Sequence, residues 1–130
     1  MTERVEGRGS RVEGFEDLMV WQRSMALVRE IYSLSNQFPQ DERFGLTTQL
    51  RRAAVSIPSN IAEGHQRHTT REFIRFVSDA EGSLAEVHTQ LRIASDLRYC
   101  AAESVAATIR EIEEIRRMLN ALRRSLRAKI

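Results

Sequence analysis

Phe73, Val77, Ala80, Leu84, Val87, Leu91 and Ala94 follow one another at alternating steps of four and three. A strand cannot put such a series on one face, because its side chains repeat every two residues. A helix can, because three to four residues complete each turn. Three heptads of this seam demand other helices to cover it, so the series predicts one member of an antiparallel helical bundle. Thr69 and Glu72 stand at capping-box spacing and predict where this helix opens. Its pattern fades at Leu97, Arg98 and Tyr99.

Three further segments carry helical spacing. The first runs roughly from Asp17, a candidate N-cap, to Gln37, and Phe38-Pro39 ends it. It has two apolar stripes. Leu18, Trp21, Met25, Val28 and Tyr32 form one, and Val20, Leu27, Ile31 and Leu34 the other. The second segment runs from about Asp41 to Gly64, with Leu46, Leu50, Ala53, Ile57 and Ile61 in its stripe and Gly64 as a C-terminal stop. Pro58 lies inside it and cannot donate to the Ala54 carbonyl. The apolar spacing stays in phase across Pro58, which predicts a kink there rather than a break. The fourth segment runs from about Ala102 to Arg127 on Val105, Ile109, Ile112, Ile115, Leu119, Leu122 and Leu126. Short connections make successive helices antiparallel. The expected fold is all-α, an up-down-up-down four-helix bundle over residues 15–130, preceded by a disordered tail over residues 1–14.

Composition narrows the function classes. Cys100 is the only cysteine among 130 residues, which excludes an internal disulfide and a cysteine-based zinc site and fits a reducing cytoplasm. No apolar run approaches the roughly 20 residues of a membrane span, and the charged N-terminus lacks the apolar stretch of a signal peptide. The formal charge is only +2. Its distribution is uneven. Residues 100–130 hold seven basic and four acidic side chains, and from Arg116 onward there is no acidic residue.

Several segments resemble the 23S rRNA-intervening sequence protein family. They are Phe15-Glu16-Asp17-Leu18-Met19-Val20-Trp21-Gln22; Phe38-Pro39 with Glu42 and Phe44-Gly45-Leu46; Gln49-Leu50-Arg51-Arg52-Ala53-Ala54; and, most specific, Ser56-Ile57-Pro58-Ser59-Asn60-Ile61-Ala62-Glu63-Gly64. Glu72-Phe73, Phe76, Ala80, Gly82-Ser83, Glu86 and Gln90-Leu91 add to them, and Ile115, Met118-Leu119 and Leu122 more faintly. One departure is Arg98, where many relatives place a glycine before the tyrosine. The resemblance implies a four-helix bundle that assembles as a ring-like homopentamer. Family members are often encoded within insertions in large ribosomal RNA genes. Similar proteins accompany the reverse transcriptases of diversity-generating retroelements and are implicated there in binding nucleic acid and the polymerase. For most members no biochemical activity is established.

The candidate nucleic-acid contacts are arginines. Arg116, Arg123 and Arg127 flank one side of the last stripe, with Asn120 in the same row, and Arg110, Arg117 and Arg124 recur every seven residues on another. Such rows match a phosphate backbone. They equally suit a helix C-terminus, where cations oppose the macrodipole and pair with acids one turn away, Glu113 with Arg116 or Arg117. Arg51 and Arg52 either line a shared surface or face water, at least one of them paired with an acid across a helix interface. In the Asn60, Glu63 and Gly64 motif, Asn60 or Ser59 is expected to satisfy the backbone freed by Pro58, and Glu63 to close the helix end against the third helix. The alternative is a polar site beside the kink. The second stripe of the first helix, Val20, Leu27, Ile31 and Leu34, is the candidate oligomer interface.

Catalytic chemistry has no sequence basis. There is no P-loop, dinucleotide-binding glycine motif or nucleophile elbow. His65 and His68 fall where a solvated turn is expected, and no Glu-x-x-His pair exists for a dinuclear metal site. Trp21, Tyr32, Phe73 and Phe76 sit at or beside core spacing and are expected to pack. No metal and no cofactor is expected. The expected function is a non-enzymatic oligomer associated with RNA or DNA, with a reverse transcriptase or another nucleic-acid enzyme as a further partner. The alternative is a protein-interaction scaffold without a nucleic-acid role.

Overall fold

The computed structural model describes residues 13–130. The tail expected over residues 1–14 lies outside the described residues except for Glu13 and Gly14. A 3-10 turn at Phe15–Asp17 leads into α1 (Met19–Ser35). A second, at Gln40–Glu42, precedes α2 (Leu46–His65), and α3 (Thr70–Asp96) and α4 (Ala102–Arg127) complete the bundle. There is no strand among the described residues.

The seam of α3 faces the core as its spacing requires. Val77, Ala80, Leu84, Val87, Leu91 and Ala94 are buried, with Phe73 partly so. The Thr69 side chain accepts from the Glu72 amide at 3.1 Å, which caps the helix. At the other end the Tyr99 amide donates to the Ala94 carbonyl and the Arg98 amide to that of Ser95. This is a Schellman closure, and it puts Arg98 in the left-handed region at φ 61°.

The first helix reverses the expectation for its two stripes. Val20, Leu27, Ile31 and Leu34 are buried in the subunit's own core, and Ile31 is 0% exposed. They are therefore not a face left over for a neighbouring subunit. Leu18, Trp21, Met25 and Val28 are half-buried and Tyr32 is exposed. The reason is Ser24. It completes a seam of Val20, Ser24, Leu27, Ile31 and Leu34 at steps of four and three. Its hydroxyl donates to the Val20 carbonyl at 2.7 Å and so enters the core satisfied. Asp17 is also not the N-cap. Leu18 holds that position, and an Asp17 carboxylate oxygen accepts from the Glu13 amide at 2.8 Å.

The helices form a square in which α1 and α3 each pack on α2 and α4, and neither diagonal pair meets. The α1–α2 and α3–α4 connections lie at one end. There the Phe38 and Tyr99 rings sit 5.6 Å apart, and the Tyr99 hydroxyl donates to Glu42 Oε2 at 2.7 Å. The α2–α3 turn lies at the other end, where Gly64 meets Phe73 and Phe76. Each helix thus runs antiparallel to the one before it.

The tightest interface joins α2 to α3. Ala53 and Ala54 on α2 and Ala80 on α3 are buried, and the Ser56 hydroxyl bonds that of Ser83 across the gap. Gly64 lies within the last turn of α2 rather than beyond it, so it does not act as the helix stop. A Cβ there would meet Phe76 Cβ at 2.7 Å and Phe73 Cδ1 at 3.0 Å. Its role is to let α3 approach.

α2 runs as one helix through Pro58, without a break. Ser59 Oγ donates to the Val55 carbonyl at 2.9 Å and Asn60 Nδ2 to the Ser56 carbonyl at 2.9 Å. These carbonyls lie one and two residues beyond that of Ala54, so neither side chain replaces the bond that Pro58 omits. The helix opens under Glu42, whose Oε1 accepts from the Leu46 amide at 2.9 Å. That amide bond, and then the one from Tyr99, hold the Glu42 carboxyl below the usual carboxylate range.

Two outcomes follow from this packing. Gly64→Ala should destabilise the protein by about 1–2 kcal/mol, because overpacking against two phenylalanines outweighs alanine's roughly 1 kcal/mol advantage in a helix. Urea unfolding measures it, and an unchanged midpoint would contradict the close approach. Because the folded protein lowers the pKa of Glu42, its contribution is present above the unfolded value and fades as pH falls through the folded one. Glu42→Gln should therefore lower the midpoint at pH 7. The gap to the parent protein should narrow from about pH 5 downward.

Candidate nucleic-acid interface

The arginines of α4 divide into paired and unpaired sets. Arg116 bonds Glu113, and Arg117 Nη2 bonds Glu114 Oε1 at 2.8 Å, each one turn back along the exposed face. Both carboxyls are held below their usual range, first by these hydrogen bonds. Arg123 bonds Glu81 of α3 at 3.0 Å and Asn120 Oδ1 at 2.8 Å. The Arg123 and Glu81 side chains are only 25% and 23% exposed, so this pair ties α3 to α4. These three arginines do the structural work that helix-end cations can do.

Arg110, Arg124 and Arg127 are exposed and have no carboxylate partner among the described residues. Arg124 and Arg127 lie in the last turn of α4, and Lys129 follows just beyond it. Arg124, Arg127 and Lys129 form a basic end with no acidic residue after Glu114 in sequence. Arg110 lies about four turns back, by the 3.6-residue repeat. The end itself can hold phosphate oxygens through guanidinium forks.

Arg51 and Arg52 lie elsewhere. They are on α2, which is diagonal to α4 and does not touch it, so the eight arginines singled out in the sequence do not form one patch. Arg51 pairs with no acid among the described residues. Its Nε donates to Ser35 Oγ at 2.8 Å and its Nη2 to Asn36 Oδ1 at 3.0 Å, both at the C-terminal end of α1. Its guanidinium carbon sits 4.5 Å from the centroid of the Tyr32 ring. The negative end of the α1 dipole offsets the charge that a carboxylate was expected to meet. Arg52 is exposed.

The motif around Pro58 is structural at two of its three residues. Asn60 bonds its own helix, and Gly64 admits α3. Glu63 does not close the helix end against α3. It is exposed and pairs with Arg67 at 2.9 Å along the chain. His65 is likewise not in a solvated turn. It is the last residue of α2, half-buried, with its ring 5.7 Å from that of Phe73. His68 is exposed. No group of three His, Cys, Asp or Glu side chains arranged to hold a metal occurs among the described residues. Burial pushes the Cys100 thiol above its usual range, away from the thiolate that a nucleophile needs. No helix among the described residues is long and apolar enough to cross a membrane.

A family pattern described as "23S rRNA-intervening sequence protein" matches residues 16–121. The chain belongs to the 23S rRNA-intervening sequence protein family. A crystal structure of a protein of unknown function from the S23 ribosomal protein family of Bacteroides thetaiotaomicron is similar in fold. Its TM-score is 0.75 at 22% identity, over 80% of this chain and 97% of that one. A search among curated proteins finds no match.

The motifs that carry the resemblance to the 23S rRNA-intervening sequence proteins map mainly onto packing. Phe15 stacks edge-on to Trp21 at 5.4 Å, Phe38 and Glu42 meet Tyr99, and Ser56 and Gly64 meet α3. Arg98 occupies a backbone conformation that a side chain disfavours. Arg98→Gly should therefore stabilise the protein by about 0.5–1 kcal/mol. A thermal or urea midpoint that falls would show that the Arg98 side chain earns its place by a contact.

Proposed function

We propose that this protein is a non-enzymatic, self-associating bundle that binds nucleic acid, RNA in particular, through the basic end of α4. One observation carries the reading: Arg124 and Arg127 at that end, and Arg110 farther back, are exposed and without a carboxylate partner among the described residues, on a helix where Arg116, Arg117 and Arg123 are neutralised. Unpaired guanidiniums release counterions when they meet phosphates, whereas paired ones must first break an ion pair. Self-association, as a pentamer in the family likeness, would repeat the basic end around a ring. Weak contacts per subunit then act together through avidity. A nucleic-acid enzyme such as a reverse transcriptase would meet the same assembly through the bound strand.

A second reading rests on a different observation. Phe44, Ile93 and Leu97 are exposed, Phe44 by 87%, at the end of the bundle where α2 begins and α3 finishes. Apolar side chains gathered there suit a protein partner and favour a scaffold role.

The two are separated by titrating a labelled RNA at several salt concentrations, with sedimentation of the protein alone. The nucleic-acid reading expects affinity to fall steeply with salt. It expects Arg110→Ala, Arg124→Ala and Arg127→Ala together to lower the log–log slope by about 2–3. Absence of binding at low salt, or an unaltered slope in the triple variant, would remove it.

A further inference from the structure

A shallow groove crosses the α1–α2 face, away from α4. Tyr32 of α1 and Thr48, Arg51, Arg52, Val55 and Ser59 of α2 line it, and no carboxylate among the described residues does. Tyr32 is 42% exposed and Val55 40%. Both lie off the core, contrary to the packing role that helical spacing suggests for Tyr32. Arg51 is held in place by four contacts: Ser35 Oγ, Asn36 Oδ1, a longer one to the Tyr32 carbonyl at 3.4 Å, and the Tyr32 ring. Those bonds use Nε and Nη2. The two Nη1 hydrogens have no acceptor among the described residues.

We infer that this groove is a second nucleic-acid site, which takes one nucleotide of a single strand. The Arg51 guanidinium already lies over the Tyr32 ring, and an unpaired base can add its own π-face to such a pair. The free Nη1 of Arg51 and the exposed Arg52 supply guanidinium donors for the adjoining phosphate, and Ser59 and Thr48 add hydroxyls. Two cations with no acid beside them give the groove a charge complementary to a phosphodiester. Because Arg51 is already fixed, little side-chain freedom is lost on binding. A duplex hides its base faces, so it has no use for the stack. The inference extends the nucleic-acid role to another surface and does not require the α4 arginines.

The test uses the full chain and two probes of equal length, a labelled single strand of uridines and a labelled hairpin duplex. Fluorescence anisotropy at low salt measures both. Tyr32→Leu should weaken single-strand binding by roughly 5- to 100-fold and change duplex binding less than about twofold. Tyr32→Phe should retain single-strand binding. Arg52→Gln should reduce the single-strand salt slope by about 0.7. Circular dichroism confirms that each variant is folded. The inference is overturned by single-strand binding unaffected by Tyr32→Leu, by equal losses for strand and duplex, or by a change in subunit number on Tyr32→Leu, which would mean that another copy covers the groove. A phosphoserine peptide that competes fully for the Tyr32-dependent signal also overturns it. Loss of binding only in Arg110, Arg124 and Arg127 variants sinks this site and leaves the α4 reading standing. Loss only in the groove variants does the reverse.

Discussion

The closeness of α2 to α3 is the constraint on which the rest of the bundle depends. Two helices approach this nearly only where small side chains face each other. Across this pair Ser56 on α2 bonds Ser83 on α3, and Gly64 meets Phe73 and Phe76. Once this pair is set, its outer edges leave one channel for α1 and another for α4, and the square is closed. Gly64 is the tightest point, because its missing Cβ is occupied by the base of Phe76. The segment around Pro58, the most specific match to the family, is thus mainly a packing device. Ser59 and Asn60 bond back to the helix that carries them, and Ser56 reaches Ser83 of α3.

The far end of the bundle is fastened by different physics. Glu42 caps α2 with one carboxylate oxygen and receives the Tyr99 hydroxyl with the other. A single side chain therefore holds the first and third connections together. Phe38 against Tyr99 adds an apolar contact beneath it. This end accommodates Arg98 in a left-handed turn because the Schellman bonds on either side of it fix the chain path. Packing decides the geometry, and the local residue bears the strain.

Charge is distributed by pairing rather than by count. A net formal charge of +2 predicts little about partners. Ion pairs along α4 and between α3 and α4 neutralise three of its arginines, and Arg110, Arg124 and Arg127 stay exposed without a carboxylate partner among the described residues. On the α1–α2 face the opposite arrangement holds. There Arg51 is immobilised by neutral groups and an aromatic ring, so its charge stays available although its position is fixed. Surface salt bridges are worth little to stability, yet they decide which cations remain open to a ligand.

What the amino-acid order determined on its own was the number of helices and the seams of α2, α3 and α4. α3 and α4 were legible nearly to the residue, because their apolar series are long, uninterrupted and bounded by a cap or a fading pattern. The Thr69 cap was legible for the same reason, since it is a bond between neighbours in sequence. Tertiary structure alone decided which stripe of α1 faces inward. Both stripes have helical spacing, and the inward one is completed by Ser24, whose hydroxyl is hidden only when it bonds back to its own helix. It also decided that Glu63 turns to Arg67, that Arg51 meets no acid, and that the α4 arginines stand apart from those of α2. The reason is common to all of these. Periodicity reports which residues share a face, but only the packed neighbours determine what that face meets.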